Sequence, residues 1–185
     1  NVHYAYFGTP KVADVDWLVV SANMKIATAY TLAHTTSGDS PALARNVTVK
    51  RTVAENADTP GTVLVTGTDL EGVTITETLT PGANGVVVAG TKAFATVTSL
   101  AGAAWTINQA ADTIEFGFGA LIGLPRAVAN AINAGAVVSH GLVASVIVVA
   151  PTIVSSTTVL ASNTVDLSSG TFDGSKKTFL VVVTP

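Results

Sequence analysis

The chain has 185 residues, with 12 acidic against nine basic side chains, a formal net charge of −3 and no cysteine. That length suits one domain or two small ones and can bury a core without covalent staples. The composition excludes a disulfide framework and thiolate chemistry, and a pI near 5.4 leaves no basic footprint for nucleic acid or an acidic membrane surface.

Charged residues make up only 11% of the chain, against roughly 25% in an ordinary soluble domain. Hydrophobic residues make up 48% and mean hydropathy is +0.52. A surface so poor in charge is coated with Thr, Ser and Gly or covered by neighbours. The second alternative points to an assembly.

The first 25 residues stand apart, with Tyr4, Tyr6, Phe7 and Trp17 crowded together. They read as an extended arm that docks on a neighbour, or as a terminal strand on the chain's own core. The stretch has no basic start followed by an apolar run, so no secretory signal is read there. Whether residues precede Asn1 is left open. Residues 26–185 read as a single β-rich domain, with a subdivision near 120–135 left open.

Ile26–Leu32 reads as a strand presenting Ile26, Tyr30 and Leu32 on one face, and His34 continues the alternation as a structural residue. Arg45–Val53 alternates with period two, Val47, Val49 and Val53 against Thr48 and Lys50, which predicts a half-buried strand. Thr62–Thr66 leads through Gly67-Thr-Asp-Leu-Glu-Gly72 into Val73–Leu79, a hairpin closed by Asp69 and by a positive φ at Gly72. In it Val73, Ile75 and Leu79 alternate with Thr74, Thr76 and Thr78. Pro81–Gly85 is a turn. Val86–Val88 is expected to break at Gly90 before a strand over Lys92–Leu100, and Thr113–Phe118 is a further strand.

Beyond Phe118 the character changes. From Phe116 to Val165 the only formally charged residue is Arg126, so this segment has little material for a solvent face and is the candidate contact surface with subunits or a shell. Pro125–Asn133 reads as one short helix with Pro125 at its start. Val146–Val149, Ile153–Val154 and Thr158–Leu160 read as strands, Asp173-Gly174 as a turn and Thr178–Val183 as a closing strand. The apolar run Ala136–Val154 is about long enough to cross a bilayer. It contains His140, Gly141 and Pro151, is rich in Val and Ile, and has no flanking Lys or Arg, so buried strands are preferred. Short strands punctuated by Gly, Pro and Asp predict a mainly all-β fold: an antiparallel β-sandwich or barrel-like domain, at most one short helix, and the extended N-terminal arm.

No catalytic, cofactor or metal site emerges. His3, His34 and His140 are scattered without metal-ligand spacing. Asp14 with Asp16, and Asp69 with Glu71, are paired carboxylates without the oxygen register of a calcium loop, and read as solvated turn acids. No acidic pair is framed by sugar-stacking aromatics, no G-x-S-x-G elbow occurs, and Ser139-His140 are adjacent rather than opposed. Gly117-Phe-Gly-Ala-Leu-Ile-Gly123 has the wrong spacing for a dinucleotide loop and no following acid, so its glycines read as places of close backbone approach. Asn46-Val47-Thr48 matches a glycosylation acceptor but falls inside a predicted strand.

Three stretches carry a resemblance: Arg45–Val49; Val65-Thr-Gly-Thr-Asp-Leu-Glu-Gly-Val-Thr-Ile-Thr-Glu-Thr-Leu79; and Gly90-Thr-Lys-Ala-Phe-Ala-Thr-Val-Thr-Ser99. With Ile114–Gly119, Ile122–Pro125 and Thr171–Lys176, they resemble small virion structural proteins of tailed bacteriophages, over about half of the chain and mainly 45–125. The resemblance implies a non-enzymatic capsid decoration or cement protein on the outer head surface, made in the bacterial host cytoplasm. Its partners would be the major capsid protein and copies of itself, as a homotrimer, with no cofactor, nucleic acid or membrane. Tyr4, Tyr6, Phe7, Trp17 and Arg126 are the expected oligomer or capsid contacts. The 127–165 segment and the aromatic N-terminus depart from the family's pattern. A tail, neck or fibre-base component and a cell-surface β-sandwich binding module are the alternatives.

Overall fold

The computed structural model describes residues 2–25, 29–54, 60–106, 112–125, 133–140, 145–149, 152–154, 159–166, 172–175 and 177–183. Over these the chain is nearly all β, with antiparallel sheets curled into a half-barrel and no helix of seven residues or more. The expected all-β sandwich or barrel-like architecture is what forms. The strands are β1 (Val2–Gly8), β2 (Asp14–Asn23), β3 (Arg45–Thr52), β4 (Thr62–Thr68), β5 (Thr74–Leu79), β6 (Val87–Phe94), β7 (Thr96–Ala103), β8 (Thr113–Gly123), β9 (Asn133–His140), β10 (Ser145–Val149), β11 (Thr152–Val154), β12 (Thr164–Asp166) and β13 (Lys177–Val183).

Three sheets result. The largest runs β11-β12-β8-β3-β6, with β2 also on β8; a second is β5-β4-β7; a third is β1-β13-β9-β10. The main core lies where the first two sheets face each other. Leu18, Val47, Val49, Phe94, Ile114, Phe116 and Phe118 come from one sheet and Val63, Val65, Ile75, Leu79, Val97 and Leu100 from the other. A smaller core holds Phe7, Leu43, Ile122, Leu124, Val165 and Phe172.

The β4–β5 hairpin forms as its sequence dictates. Asp69 N–H donates to the Val73 carbonyl and Gly72 N–H to the Asp69 carbonyl, and Gly72 takes φ +79°, a conformation that only glycine adopts cheaply. Threonines at 74, 76 and 78 face solvent while Ile75 and Leu79 are buried. Val73 does not join them: it precedes the strand and is 55% exposed.

Other expectations need correction. β3 is not half-buried. It lies between β8 and β6, and Arg45 through Val49 are all buried, Thr48 included. Alternation marks a one-sided strand only at the edge or open face of a sheet. Gly90 does not break its strand, because β6 continues through it to Phe94. The break falls at Ala95, whose N–H donates to Thr68 O as the chain crosses from the β3 sheet to the β4 sheet. Of the expected 26–32 strand, residues 26–28 lie outside the described residues, Ala29 makes an isolated bridge to Ala101, and Tyr30 and Leu32 are not in a strand. Leu160 belongs to a 3₁₀ turn, Leu160–Ser162, and not to a strand; Thr158 is outside the described residues. The short helix expected over 125–133 falls mostly on residues 126–132, also outside them, and Asn133 opens β9.

The apolar run 136–154 contributes β9, β10 and β11. No helix among the described residues is long and apolar enough to cross a membrane. Of the 117–123 glycines, Gly117 passes close to another backbone as expected, while Gly119 faces the Asn46 side chain and Gly123 the methyls of Ala93 and Ala44. Gly117 lies where β2 crosses β8, and a Cβ there would sit on the Asp14 carbonyl.

Candidate functional site

Two features of the N-terminal half and the terminal sheet are candidates. The first is a sheet face. β1 pairs with β13, β13 with β9 and β9 with β10, all antiparallel. Register aligns Tyr6, Phe179, Val137 and Val148 across the sheet, and Tyr4, Val181 and Gly135 beside them. Directly opposed residues share a face. The residues paired in this row are apolar, and two positions along β13 and β9 the pair is Lys177 with Ser139. Tyr6 on this face is 51% exposed. On the other face Ala5 packs against the small core, and Phe7, which follows a bulge in β1, is buried in it. Lys177 is the one formally charged residue in the four strands.

The second feature is a cleft of about 220 Å³ bordered by Lys11, Val12, Asp14, Trp17, Ser37, Arg45 and Phe118. Its wall is built around a buried arginine. Arg45 is 1% exposed. Its Nε donates to Gly119 O at 2.8 Å and its Nη1 to Lys11 O at 3.0 Å, which ties the 9–13 loop to β8. Nη1 also meets Asp39 Oδ2 at 3.5 Å, while Asp39 Oδ1 accepts the Lys11 N–H at 2.8 Å. The remaining guanidinium nitrogen, Nη2, is buried without a hydrogen-bond partner. Desolvation pulls the Arg45 pKa below its ordinary value, and the charge of Asp39 and the hydrogen bond to it push the other way.

Over the cleft, the Trp17 ring stacks on His34 at 3.9 Å and 11° between planes. The Lys11 ammonium lies 4.8 Å from the indole centroid, close enough for cation–π attraction. Trp17 Nε1–H donates to Thr36 O at 2.7 Å. Trp17 is half-buried by contacts within its own chain, and His34 takes its structural place as the partner of that ring.

Among the expected contact residues, then, Tyr6 is at the surface and Trp17 lines the cleft. Phe7 is corrected: at 3% exposure it is a core residue and offers no surface for a partner. Tyr4 is placed by backbone register alone, and Arg126 lies outside the described residues. Sequence reading passed over Arg45 and Asp39. An arginine in an alternating strand reads as solvated, and only the loops folded over it bury it. Asn46 is likewise sequestered: its Nδ2 donates to Gly90 O and its Oδ1 accepts the Leu121 N–H, which leaves it closed to glycosylation.

The paired carboxylates resolve differently. Asp69 is not solvated. It is buried, and its Oδ1 accepts the N–H groups of Glu71 and Val73, closing the turn on itself. Asp16 has its pKa raised above 3.8, first by a hydrogen bond with the Asp14 side chain, then by desolvation and the charges of Asp14 and Glu115. Glu115 is paired with Lys50 at 3.0 Å. No group of three or more His, Asp or Glu among the described residues is placed to hold a metal ion.

Compared with known proteins, the chain matches no family model, no curated protein and no solved structure.

Proposed function

We propose that this chain is a non-enzymatic virion structural protein of a tailed bacteriophage, a decoration or cement protein of the outer capsid surface. The observation that carries the proposal is the β1-β13-β9-β10 sheet. Its four strands carry one formally charged residue, Lys177, and it presents the half-exposed Tyr6. A protein that works alone in water leaves such a face uncovered at a cost in solubility. A protein that clamps neighbouring subunits needs that kind of face, because obligate interfaces are large and apolar. The stiff β framework and the resemblance of the 45–125 stretch to phage virion proteins support the same reading. In it the chain packs against copies of itself, as a homotrimer, and against the major capsid protein, with the terminal sheet and the N-terminal strand at the boundary.

The test is the copy number of the protein in purified particles, measured by quantitative mass spectrometry against the most abundant shell protein. A ratio near one, or a simple fraction of it, is the expected result. A few copies per particle would move the protein to the tail or neck, and absence from particles would sink the reading.

A further inference from the structure

We infer that the Glu77 carboxylate is a latch that closes the open side of the half-barrel, where the edges of two facing sheets meet. β5 is an edge strand of one sheet and β6 an edge strand of the other. Glu77 is out of place by pattern. Ile75 and Leu79, two residues to either side of it, are buried in the core, and alternation puts Glu77 on that same inward face. Its carboxylate reaches instead across the seam to β6. Oε1 accepts the Thr91 N–H at 2.7 Å and the Thr91 hydroxyl at 2.9 Å, and Oε2 accepts the Lys92 N–H at 3.3 Å. In return the Lys92 ammonium donates to Thr76 O at 2.8 Å. Each edge thus lends a charged side chain to the backbone of the other.

The backbone is prepared on both sides. β6 bulges at this point: Asn46 opposes Ala93 and Thr48 opposes Ala89, so residues 90–92 stand against Val47 alone. A bulge leaves backbone groups outside the ladder. The Asn46 side chain takes Gly90 O, and Glu77 takes the next two N–H groups. Gly90 also supplies the room, since a Cβ there would sit on the Glu77 carboxylate. On the other side, Thr66 O accepts the Thr98 hydroxyl of β7, so the carbonyl of its β5 partner Thr76 turns away from β4 and towards Lys92. Free strand edges recruit other strands, and an inward-pointing charge at an edge is one way to close them. Glu77 does so for two edges at once. Both strands belong to one chain, so the latch stands or falls apart from the virion reading.

The test is backbone amide exchange, followed by ¹H–¹⁵N NMR on the full chain. Glu77→Gln keeps the shape of the side chain but removes its charge and one of its two acceptor oxygens. Glu77 is only partly buried, so this variant does not threaten the fold. The Thr91 and Lys92 amides should then exchange at least about tenfold faster. The amides of the β4–β5 ladder should keep their rates, because the seam parts while the hairpin stays folded. Gly90→Ala should reproduce the acceleration by displacing the carboxylate. In a Glu77→Ala background it should add nothing, because the group it displaces is gone. Unchanged exchange at Thr91 and Lys92 in Glu77→Gln overturns the latch. So does equal acceleration throughout the β4–β5 ladder, or a Gly90→Ala effect that is the same with and without Glu77.

Discussion

The main sandwich and the terminal sheet solve the burial problem in opposite ways. In the sandwich, β4 and β5 turn Val63, Val65, Ile75 and Leu79 inward and threonines outward, and several of its polar groups are tied down. Arg51 Nε donates to Gly82 O at 2.6 Å, and Glu77 accepts the Thr91 and Lys92 N–H groups. Among the described residues its core gathers 17 buried residues, against six in the core beneath β1. In the terminal sheet a single lysine supplies all of the formal charge. The contrast teaches that the sandwich is finished by its own chain, whereas on the reading proposed above the terminal sheet is finished by a neighbour.

The sharpest test of the sandwich is Arg45→Met. It strips two hydrogen bonds to the loops and one to β8 and leaves Asp39 buried without a counter-charge, so a loss of about 3–5 kcal/mol is expected in urea unfolding. A loss under about 1 kcal/mol would mean that the buried pair contributes nothing to closing the sandwich. Next comes Gly117→Ala, where the new methyl meets the β2 backbone. A cost of about 1–3 kcal/mol, with faster hydrogen exchange in β2 than in β4, would place the strain at that crossing.

A smaller effect is expected from alkali. Tyr30 is buried against Phe116, its hydroxyl donates to Met24 O at 3.0 Å, and desolvation pushes its pKa up to about 12 from 10.0. The native state keeps this proton after the unfolded chain has begun to lose it. The stabilisation is therefore complete below pH 10 and is lost as pH rises through about 12. The Tyr30→Phe protein should lack this component of the falling stability, and tyrosinate absorbance should lose its latest-titrating member.

The smallest effect on the isolated chain, and the one that separates the regions, is Tyr6→Lys. A charge at this half-exposed position should change monomer stability by no more than about 0.5 kcal/mol while abolishing self-association in sedimentation and attachment to particles. Equal self-association of the variant and the parent would show that the Tyr6 side of the terminal sheet is not the contact surface.

Local pattern made much of the fold legible. Alternating Thr and Val, the Asp69–Gly72 turn and the closing strand at 178–183 declare themselves, because side-chain period and turn chemistry act over a few residues. The candidate sites were less so. Tyr6 and Phe7 are both aromatic neighbours in β1, and only the placement of one face of the sheet over a core shows which of the two is at the surface and which is buried. Arg45 looks like a solvent-facing residue until the 9–13 and 37–41 loops fold over it.

The sequence by itself determined that the chain is β-rich, poor in charge and turned at its glycines. Composition and nearest-neighbour periodicity are properties of the chain before it folds. Which strands became central, where the chain crossed between sheets, and which polar side chains were buried were decided only by tertiary structure. Those outcomes depend on contacts between residues far apart in sequence, such as Arg45 with Gly119 and Gly117 with Asp14.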